Sequence, residues 1–212
     1  ICIVGFEVSI QKYAEHPIPH QVLLSLLRDY KRPNDKIHSL IKEGKLISLK
    51  KGLYVWNSNS LPENFSIANV LYNPSYVSLE SALSFYGLIP ERVFSVSSMT
   101  FKTSKKFTNE FGNFEYIKIP TPYYSFGIKR ISIRDGQFSL MAMAEKALMD
   151  KVITTAGIII RSEIAAHKFL FENLRIDEDQ LKSFNTKEMT SWAEFANKKE
   201  SLLNVIKVIQ NL

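Results

Sequence analysis

The sequence of 212 residues contains one cysteine, Cys2, and no long uninterrupted hydrophobic run. A single cysteine excludes an internal disulfide and a zinc site built on thiols, and it fits a reducing compartment. The apolar start, ICIVGF, is too short to span a bilayer and lacks both a basic leader and a cleavage-site pattern. These absences predict a cytoplasmic protein with no membrane partner.

Motifs that carry catalysis are also missing. The sequence has no glycine-rich phosphate loop, no nucleophile elbow and no pair of histidines at metal-ligand spacing. Its four histidines are scattered, and no spacing of carboxylates requires a general acid–base pair. We therefore predict that the protein is not an enzyme, with no catalytic residues, no bound metal and no cofactor.

Positive charge is the most informative feature that is present. The formal net charge is +6, and hydrophobic residues make up 45% of the chain, enough to bury a core. Residues 1–60 hold 9 basic and 5 acidic side chains, residues 61–136 hold 8 and 6, and residues 137–212 hold 10 of each. An excess confined to the first two thirds favours a front half that faces a polyanion such as nucleic acid, although a solvated basic surface has the same composition.

Residues 36–56, KIHSLIKEGKLISLKKGLYVW, predict a short helix followed by a basic hairpin. Ile37, Leu40 and Ile41 share one helical face, whereas the basic and polar residues project from the others. Gly44 stands where a left-handed C-terminal cap is most easily made. Apolar residues then alternate around a turn at Lys50-Lys51-Gly52.

The preceding residues complete the pattern of a winged helix-turn-helix. Residues 20–27 form a second apolar periodic run, and Pro33 blocks its continuation, so the next helix begins either with a cap by Asn34 or with proline in its first turn. Residues 3–15 predict a first helix, with a strand over residues 1–8 as the alternative. We place a DNA-binding domain at residues 1–58 and a linker at residues 57–64. Any small amphipathic helix with a hairpin has the same periodicity.

The remainder predicts a second domain at residues 65–212, which makes the whole chain α+β. Helices are expected at residues 65–71 and 78–86, and strands at 93–97, 99–101, 114–119 and 128–133. Phe111 and Gly112 mark a hairpin turn, and Asp135-Gly136 marks a second. From about residue 138 the pattern predicts helix to the end. The second domain is thus a mostly antiparallel sheet beside helices.

Basic and aromatic side chains crowd the predicted strands. The cations either extend a DNA surface, contact an acidic partner or protect sheet edges from aggregation, and they are Lys102, Lys105, Lys106, Lys129, Arg130 and Arg134. The aromatics either stack on single-stranded nucleic acid or form the core of the sheet, and they are Phe101, Phe107, Phe111, Phe114, Tyr116, Tyr123, Tyr124 and Phe126.

Three segments resemble one known family, the AbiEi antitoxins that regulate AbiE-type toxin–antitoxin systems. Residues 37–56 follow IxxLIxxGxLxxLxxGLYxW, residues 76–91 and 112–116 follow YxSLESAL…GLIPE and GxFEY, and residues 141–152, MAMAEKALMDKV, are similar to a helix with PEKALLD. Met143 and Ala144 stand where a Thr-Pro pair is common, a departure that affects a helix cap. The resemblance extends from about residue 20 to about residue 155.

The resemblance implies a protein with two activities. Its winged helix would repress its own operon by binding inverted repeats in promoter DNA, and its C-terminal domain would counteract a cognate nucleotidyltransferase toxin, directly or indirectly. The DNA contacts carried over onto matched positions are Arg32, Asn34, Lys36, His38, Ser39, Lys42, Lys45, Lys50 and Lys51. The alternative is a winged helix that binds only protein.

Overall fold

The computed structural model describes residues 2–91 and 93–212, with the backbone alone for residues 2–4. Its N-terminal unit contains three helices and three short strands: α1 (Cys2–Gln11), β1 (Ile18–Pro19), α2 (His20–Leu26), α3 (Pro33–Lys42), β2 (Leu46–Lys50) and β3 (Leu53–Trp56). The strands form an antiparallel sheet in the order β1-β3-β2. The backbone is helical from Cys2 onward, so the helical prediction for the first segment is confirmed as far as Gln11; Ile1 lies outside the described residues.

Helix α3 begins and ends as its sequence requires. Pro33 occupies its first turn and Asn34 makes no cap, which resolves the alternative left open by the sequence. At the other end Gly44 adopts a φ of +68°. The Lys45 amide then donates to the Leu40 carbonyl at 2.9 Å and the Gly44 amide donates to the Ile41 carbonyl at 3.0 Å. This pair of bonds is a Schellman motif, and it directs the chain into β2.

The N-terminal unit has a hydrophobic core of its own, but its hairpin belongs to two cores. Leu46, Tyr54 and Trp56 pack against the buried faces of α1, α2 and α3. Leu49, Leu53 and Val55, from the opposite face of the same hairpin, are part of the larger core formed by residues 61–212. A break in register between Ser48 and Lys50 lets β2 present leucines to both sides. The segment at residues 57–64 therefore joins two units whose hydrophobic cores lie on opposite faces of the β2–β3 hairpin.

The C-terminal unit combines a six-stranded sheet with helices. Its elements up to the end of the sheet are α4 (Asn64–Leu71), β4 (Tyr76–Val77), α5 (Leu79–Phe85), β5 (Ser95–Thr100), β6 (Lys105–Asn109), β7 (Gly112–Lys118), α6 (Thr121–Tyr124), β8 (Ile128–Arg134) and β9 (Gln137–Ala142). The strand order is β6-β7-β5-β4-β9-β8. Three of the five pairings are antiparallel and two are parallel, so the sheet is mixed.

The helical C-terminal end is confirmed, but it begins later than predicted. Residues 138–142 are in β9, which pairs with β8 through the turn at Asp135-Gly136, and helix starts at Ala144. Along β9, Gln137, Ser139 and Met141 are buried while the residues between them are exposed, a period of two. Leu140, Met143 and Ala144 have the spacing of a helix in the sequence, but Leu140 is in β9 and Ala144 begins α7. The prediction therefore treated the end of a strand as part of the following helix.

Helices cover the sheet and complete the chain. They are α7 (Ala144–Thr154), α8 (Glu163–His167), a π-helical segment (Lys168–Asn173), α9 (Glu178–Leu181), α10 (Thr186–Ala193) and α11 (Lys199–Gln210). The sequence also left β4, β6 and α6 unpredicted, and it divided β5 into two strands. Within residues 2–91 and 93–212, none of the helices has the length and hydrophobicity that a bilayer crossing requires.

Candidate nucleic-acid interface and a buried ionic network

The outward face of α3 carries a polar stripe. Ile37 and Leu40 are buried against the N-terminal core, which turns Asn34, His38 and Lys42 to solvent. These three residues follow one another at intervals of four, so they lie on the same side of the helix. Lys36 and Ser39, which are half-buried, flank the stripe. Amide, imidazole and ammonium groups in one row provide hydrogen-bond donors and positive charge to an incoming polyanion.

Three other predicted DNA contacts are already engaged within the N-terminal unit. The Ser39 hydroxyl donates to Glu43 at 2.6 Å. This bond and then Lys45, whose ammonium group lies 3.4 Å from the same carboxylate, lower the pKa of Glu43. Arg32 lies 3.6 Å from Asp35. These ion pairs are exposed, and exposed pairs contribute little stability, so Arg32 and Lys45 can exchange a carboxylate for a phosphate.

The two lysines at the tip of the hairpin differ in their surroundings. The Lys50 ammonium group donates to the Leu71 carbonyl, at the last turn of α4, at 2.6 Å. Partial burial, followed by repulsion from Lys105 and Lys102, lowers its pKa. Lys51 is exposed and makes no hydrogen bond or ion pair with any residue that the structure describes. Lys50 thus attaches the hairpin to the C-terminal unit, whereas Lys51 is exposed at the tip.

The six basic residues predicted on the strands do not form one surface. Lys105 and Lys106 are in β6 and Lys102 precedes it, whereas Lys129, Arg130 and Arg134 are in β8, at the opposite edge of the sheet. The β6 group adjoins the hairpin, since the Asn109 side chain donates to the Leu49 carbonyl at 3.3 Å.

Most of the β6 group has partners. Lys102 donates to the Asn73 carbonyl at 2.6 Å, and Lys106 pairs with Glu115 at 2.7 Å. The Lys105 ammonium group lies 4.9 Å from the centroid of the Phe107 ring. Lys50 at the Leu71 carbonyl and Lys102 at the Asn73 carbonyl place positive charge at and just beyond the C-terminus of α4, where the helix dipole favours cations.

In the β8 group, Arg134 also joins the two units. Its guanidinium donates to the Leu61 carbonyl at 3.0 Å, and it lies 3.2 Å from Glu63 and 4.0 Å from Glu15 of the N-terminal unit. Lys129 and Arg130 are exposed and have no ion pair among the described residues. They are the available cations of this edge.

The aromatic residues of the sheet form its core. Phe114, Tyr116 and Tyr123 are fully buried, and four of the other five pack against the same cluster. Phe101 is the most exposed of the set, yet its ring meets the Tyr124 ring at a centroid distance of 5.1 Å. The core interpretation is confirmed for seven of these eight residues, and Phe101 is the exception.

A buried ionic network in α7 was not predicted. The Lys146 ammonium group donates to Asp150 at 2.6 Å, and both side chains are fully buried. Asp150 also accepts hydrogen bonds from the hydroxyl groups of Tyr76 at 3.0 Å and Ser78 at 2.7 Å. The ammonium group lies 3.3 Å from the centroid of the Tyr123 ring, a cation–π contact.

Burial and charge shift the pKa values of this network in the expected directions. Burial lowers the pKa of Lys146 despite the opposing effect of Asp150. For Tyr76 burial is the larger cause and the negative charge of Asp150 the next, and together they raise its pKa. The contacts of the network connect α7 to β4 and α6. Its side chains are all buried, so we assign it a structural role.

A signal for this network exists in the sequence. Lys146 and Asp150 are four positions apart within MAEKALMD, and the three residues between them are apolar. In a helix buried on every side such charges must pair with each other. No group of three or more histidine, cysteine, aspartate or glutamate side chains suited to a metal ion occurs in the described part of the chain.

No protein-family model matches this sequence, and no curated protein matches it. Among solved structures, the fold is similar to the crystal structure of the RV2827C protein from Mycobacterium tuberculosis. The TM-score is 0.49 and the sequence identity 12%, over 99% of this chain and 80% of that chain. A likeness of this size carries no functional information.

Proposed function

We propose that this protein is a DNA-binding transcriptional regulator and an antitoxin of the AbiEi type. Its N-terminal unit acts as a winged helix-turn-helix in which α3 enters the major groove and the β2–β3 hairpin lies beside the phosphate backbone. The order of its elements, with three helices, a short strand after α1 and a hairpin after α3, supports this assignment. The sequence resemblance described above supplies the family.

The polar stripe of Asn34, His38 and Lys42 carries the proposal. It lies on the one face of α3 that the core leaves uncovered, and it projects from a helix fixed at both ends by Pro33 and Gly44. Asn34 is in the first turn, and an asparagine at the leading end of a recognition helix can contact an adenine edge with two hydrogen bonds. Lys42 and Lys51 are suited to phosphate contacts.

These roles make different predictions for binding. A base contact by Asn34 discriminates between sequences by about 1–3 kcal/mol. A phosphate contact by a lysine weakens binding to all sequences and reduces the dependence of affinity on salt by about one counterion. Lys50 is not included in this group, because its ammonium group donates to the Leu71 carbonyl; its phosphate contact stays a prediction from the sequence.

Fluorescence anisotropy on the DNA immediately upstream of the gene, with a scrambled duplex as reference and at two salt concentrations, tests the assignment. Wild type should prefer the upstream duplex, and its affinity should fall as salt rises. Asn34→Ala should reduce that preference, whereas Lys42→Glu with Lys51→Glu should weaken binding to both duplexes. Arg161→Glu, an exposed charge reversal in the C-terminal unit, is the matched control. Equal affinity of the double variant and wild type at both salt concentrations would exclude these contacts.

The antitoxin activity is assigned to the C-terminal unit, which has balanced charge in its last third. A truncation at residues 57–64 is a poor test, because it would expose the core face that Leu49, Leu53 and Val55 cover. The full-length Asn34→Ala, Lys42→Glu, Lys51→Glu variant is better. It should lose promoter binding and still rescue growth of cells that express the neighbouring nucleotidyltransferase. Loss of both activities in a folded variant would place toxin neutralisation in the same surface.

The second candidate is a winged helix that binds protein and not DNA. It is favoured by the engagement of Lys50 within the chain, since this lysine of the hairpin tip donates to the Leu71 carbonyl of the C-terminal unit. A protein-binding module would bind neither duplex at low salt, so the same titration separates the two candidates.

A further inference from the structure

Strand β8 is an open edge of the six-stranded sheet. It pairs with β9 alone, and over its seven residues its backbone makes no hydrogen bond outside that ladder with any described residue. Such an edge presents unpaired N–H and C=O groups to which another extended chain can add. The only irregularity is a shift in register between Ser132 and Arg134, near the turn into β9.

Two of the three cations of this edge have no acidic partner in the described part of the chain. Lys129 and Arg130 are exposed and have no ion pair among the described residues, whereas Arg134 is already engaged with Glu63. No acidic residue occurs in β8. Basic side chains on an edge strand are also a common protection against aggregation, so charge alone does not define a binding site.

The sheet face beside this edge distinguishes the two possibilities. Phe138 and Leu140 of β9 are 41% and 47% exposed, side by side on the face opposite α4. Arg130 is paired with Leu140 across the ladder, and its guanidinium carbon lies 3.7 Å from the centroid of the Phe138 ring. A protected edge needs no exposed aromatic and aliphatic side chains, whereas arginine and aromatic residues are both enriched at the centres of protein interfaces.

The charge pattern selects the partner. A second copy of this chain pairing edge to edge would bring Lys129 and Arg130 of both copies together, and like charges across neighbouring strands are destabilising. Duplex DNA offers no backbone donors and acceptors in strand register, and it leaves Phe138 and Leu140 uncovered. An extended acidic segment of another protein satisfies the edge and the cations, and its apolar side chains can reach Phe138.

We propose that the outer edge of β8, with Lys129, Arg130 and the exposed pair Phe138 and Leu140, binds an extended acidic segment of a partner protein by strand addition. The main-chain ladder supplies affinity. Arg130 lies on the same face as Phe138 and Leu140, whereas Lys129, which pairs with Met141, lies on the other face. The site therefore favours a segment with acidic side chains on both faces and an apolar side chain toward Phe138. This site is separate from α3, and it does not depend on the proposed function.

A nuclear magnetic resonance titration of the full ¹⁵N-labelled chain tests the proposal. The probe is a capped synthetic peptide that repeats two glutamates followed by two valines, so that each face of the added strand carries both residue types. The reference is the same peptide with lysine in place of glutamate. We expect saturable shifts of the amide signals of residues 128–140 with the acidic peptide only. Arg130→Glu and Lys129→Glu should each weaken this binding at least tenfold, whereas Arg161→Glu should leave it unchanged. Thermal unfolding of each variant establishes that it is folded.

Four outcomes would overturn the proposal. The first is no shift at residues 128–140, and the second is equal binding of the basic peptide. The third is a stronger response of the same amides to a DNA duplex, which would make the edge a nucleic-acid contact. The fourth is broadening of these signals with protein concentration in the absence of peptide, which would assign the edge to a second copy of the chain.

Discussion

Two helices of this protein carry lysines in opposite circumstances. In α3 the core takes one face, and Lys42 stands on the other with no partner among the described residues. In α7 residues 146–150 are all buried, and Lys146 has a carboxylate and an aromatic ring within contact distance. The ammonium group of exposed Lys42 can contact a ligand, whereas that of buried Lys146 makes all of its contacts within the protein. The following substitutions test that contrast.

The largest effect should come from dividing the buried pair. Asp150→Leu leaves the Lys146 ammonium group unpaired and removes the acceptor of two hydroxyl groups. We expect a loss of about 3–5 kcal/mol in the free energy of unfolding, measured by urea denaturation. Lys146→Met should cost less, because Asp150 keeps two donors. The double variant should be more stable than Asp150→Leu alone; additive losses would show that the two charges are not coupled.

Gly127 tests how closely the chain packs on this network. It has a φ of +62°, and a Cβ there would lie 2.8 Å from the Cβ of Lys146 and 3.0 Å from the Trp192 ring. Gly127→Ala should combine a backbone penalty of about 1–2 kcal/mol with about 1–3 kcal/mol of overpacking. Gly44→Ala is the control, since its φ is also positive but no atom lies within 4 Å of the added carbon. Equal losses in unfolding free energy would contradict the close contact.

The hydroxyl groups around Asp150 give a smaller contrast. Tyr76→Phe removes a hydrogen bond to Asp150 and should cost about 1 kcal/mol. The Tyr123 hydroxyl is buried and makes no hydrogen bond of good geometry with any described residue, although burial and then the nearby Asp150 raise its pKa. Tyr123→Phe should therefore leave the free energy of unfolding unchanged or raise it. Urea denaturation of the two variants measures these changes in the free energy of unfolding. A loss for Tyr123→Phe as large as that for Tyr76→Phe would show that the two hydroxyl groups contribute equally to stability.

Lys50 and Lys51, adjacent at the hairpin tip, show the same contrast between a lysine with an internal partner and an exposed one. Lys50→Met should lower stability by about 1 kcal/mol, because the Leu71 carbonyl loses its charged donor at a half-exposed site. Lys51→Met should leave stability unchanged, and under the proposed function it should weaken DNA binding. Thermal unfolding and anisotropy on the same two proteins provide both measurements. If Lys50→Met lowers only DNA affinity, the hydrogen bond to α4 contributes nothing to the fold.

The sequence predicted the elements whose signals are local. Pro33 and Gly44 set the ends of α3, and the buried face of that helix followed from its periodicity. Strand β9 was misread because a period of two over residues 137–142 runs directly into a helical period at Ala144. Strand β4 has only two residues, too few to show a period, although it is at the centre of the sheet.

The sequence predicted the candidate contacts from residue type alone. The structure shows which of these cations have partners within the chain and which are exposed without one among the described residues. Lys50 and Arg134 could not be distinguished from Lys51 and Lys129 in the sequence, since what separates them is a carbonyl or carboxylate supplied by a distant segment. The Lys146 network depends in the same way on Tyr76 and Ser78, about seventy residues earlier in the chain. Contacts of this range leave no local pattern.

The shared hairpin governs how the two units respond to each other. Leu49, Leu53 and Val55 belong to one core, while Tyr54 and Trp56 belong to the other. If either unit unfolded, the hairpin would be lost and the core of the other unit would be exposed to solvent. The chain should therefore melt in a single cooperative transition. A ligand bound at α3 would raise the stability of the whole molecule, and amide protons in the distant sheet would exchange more slowly when it binds.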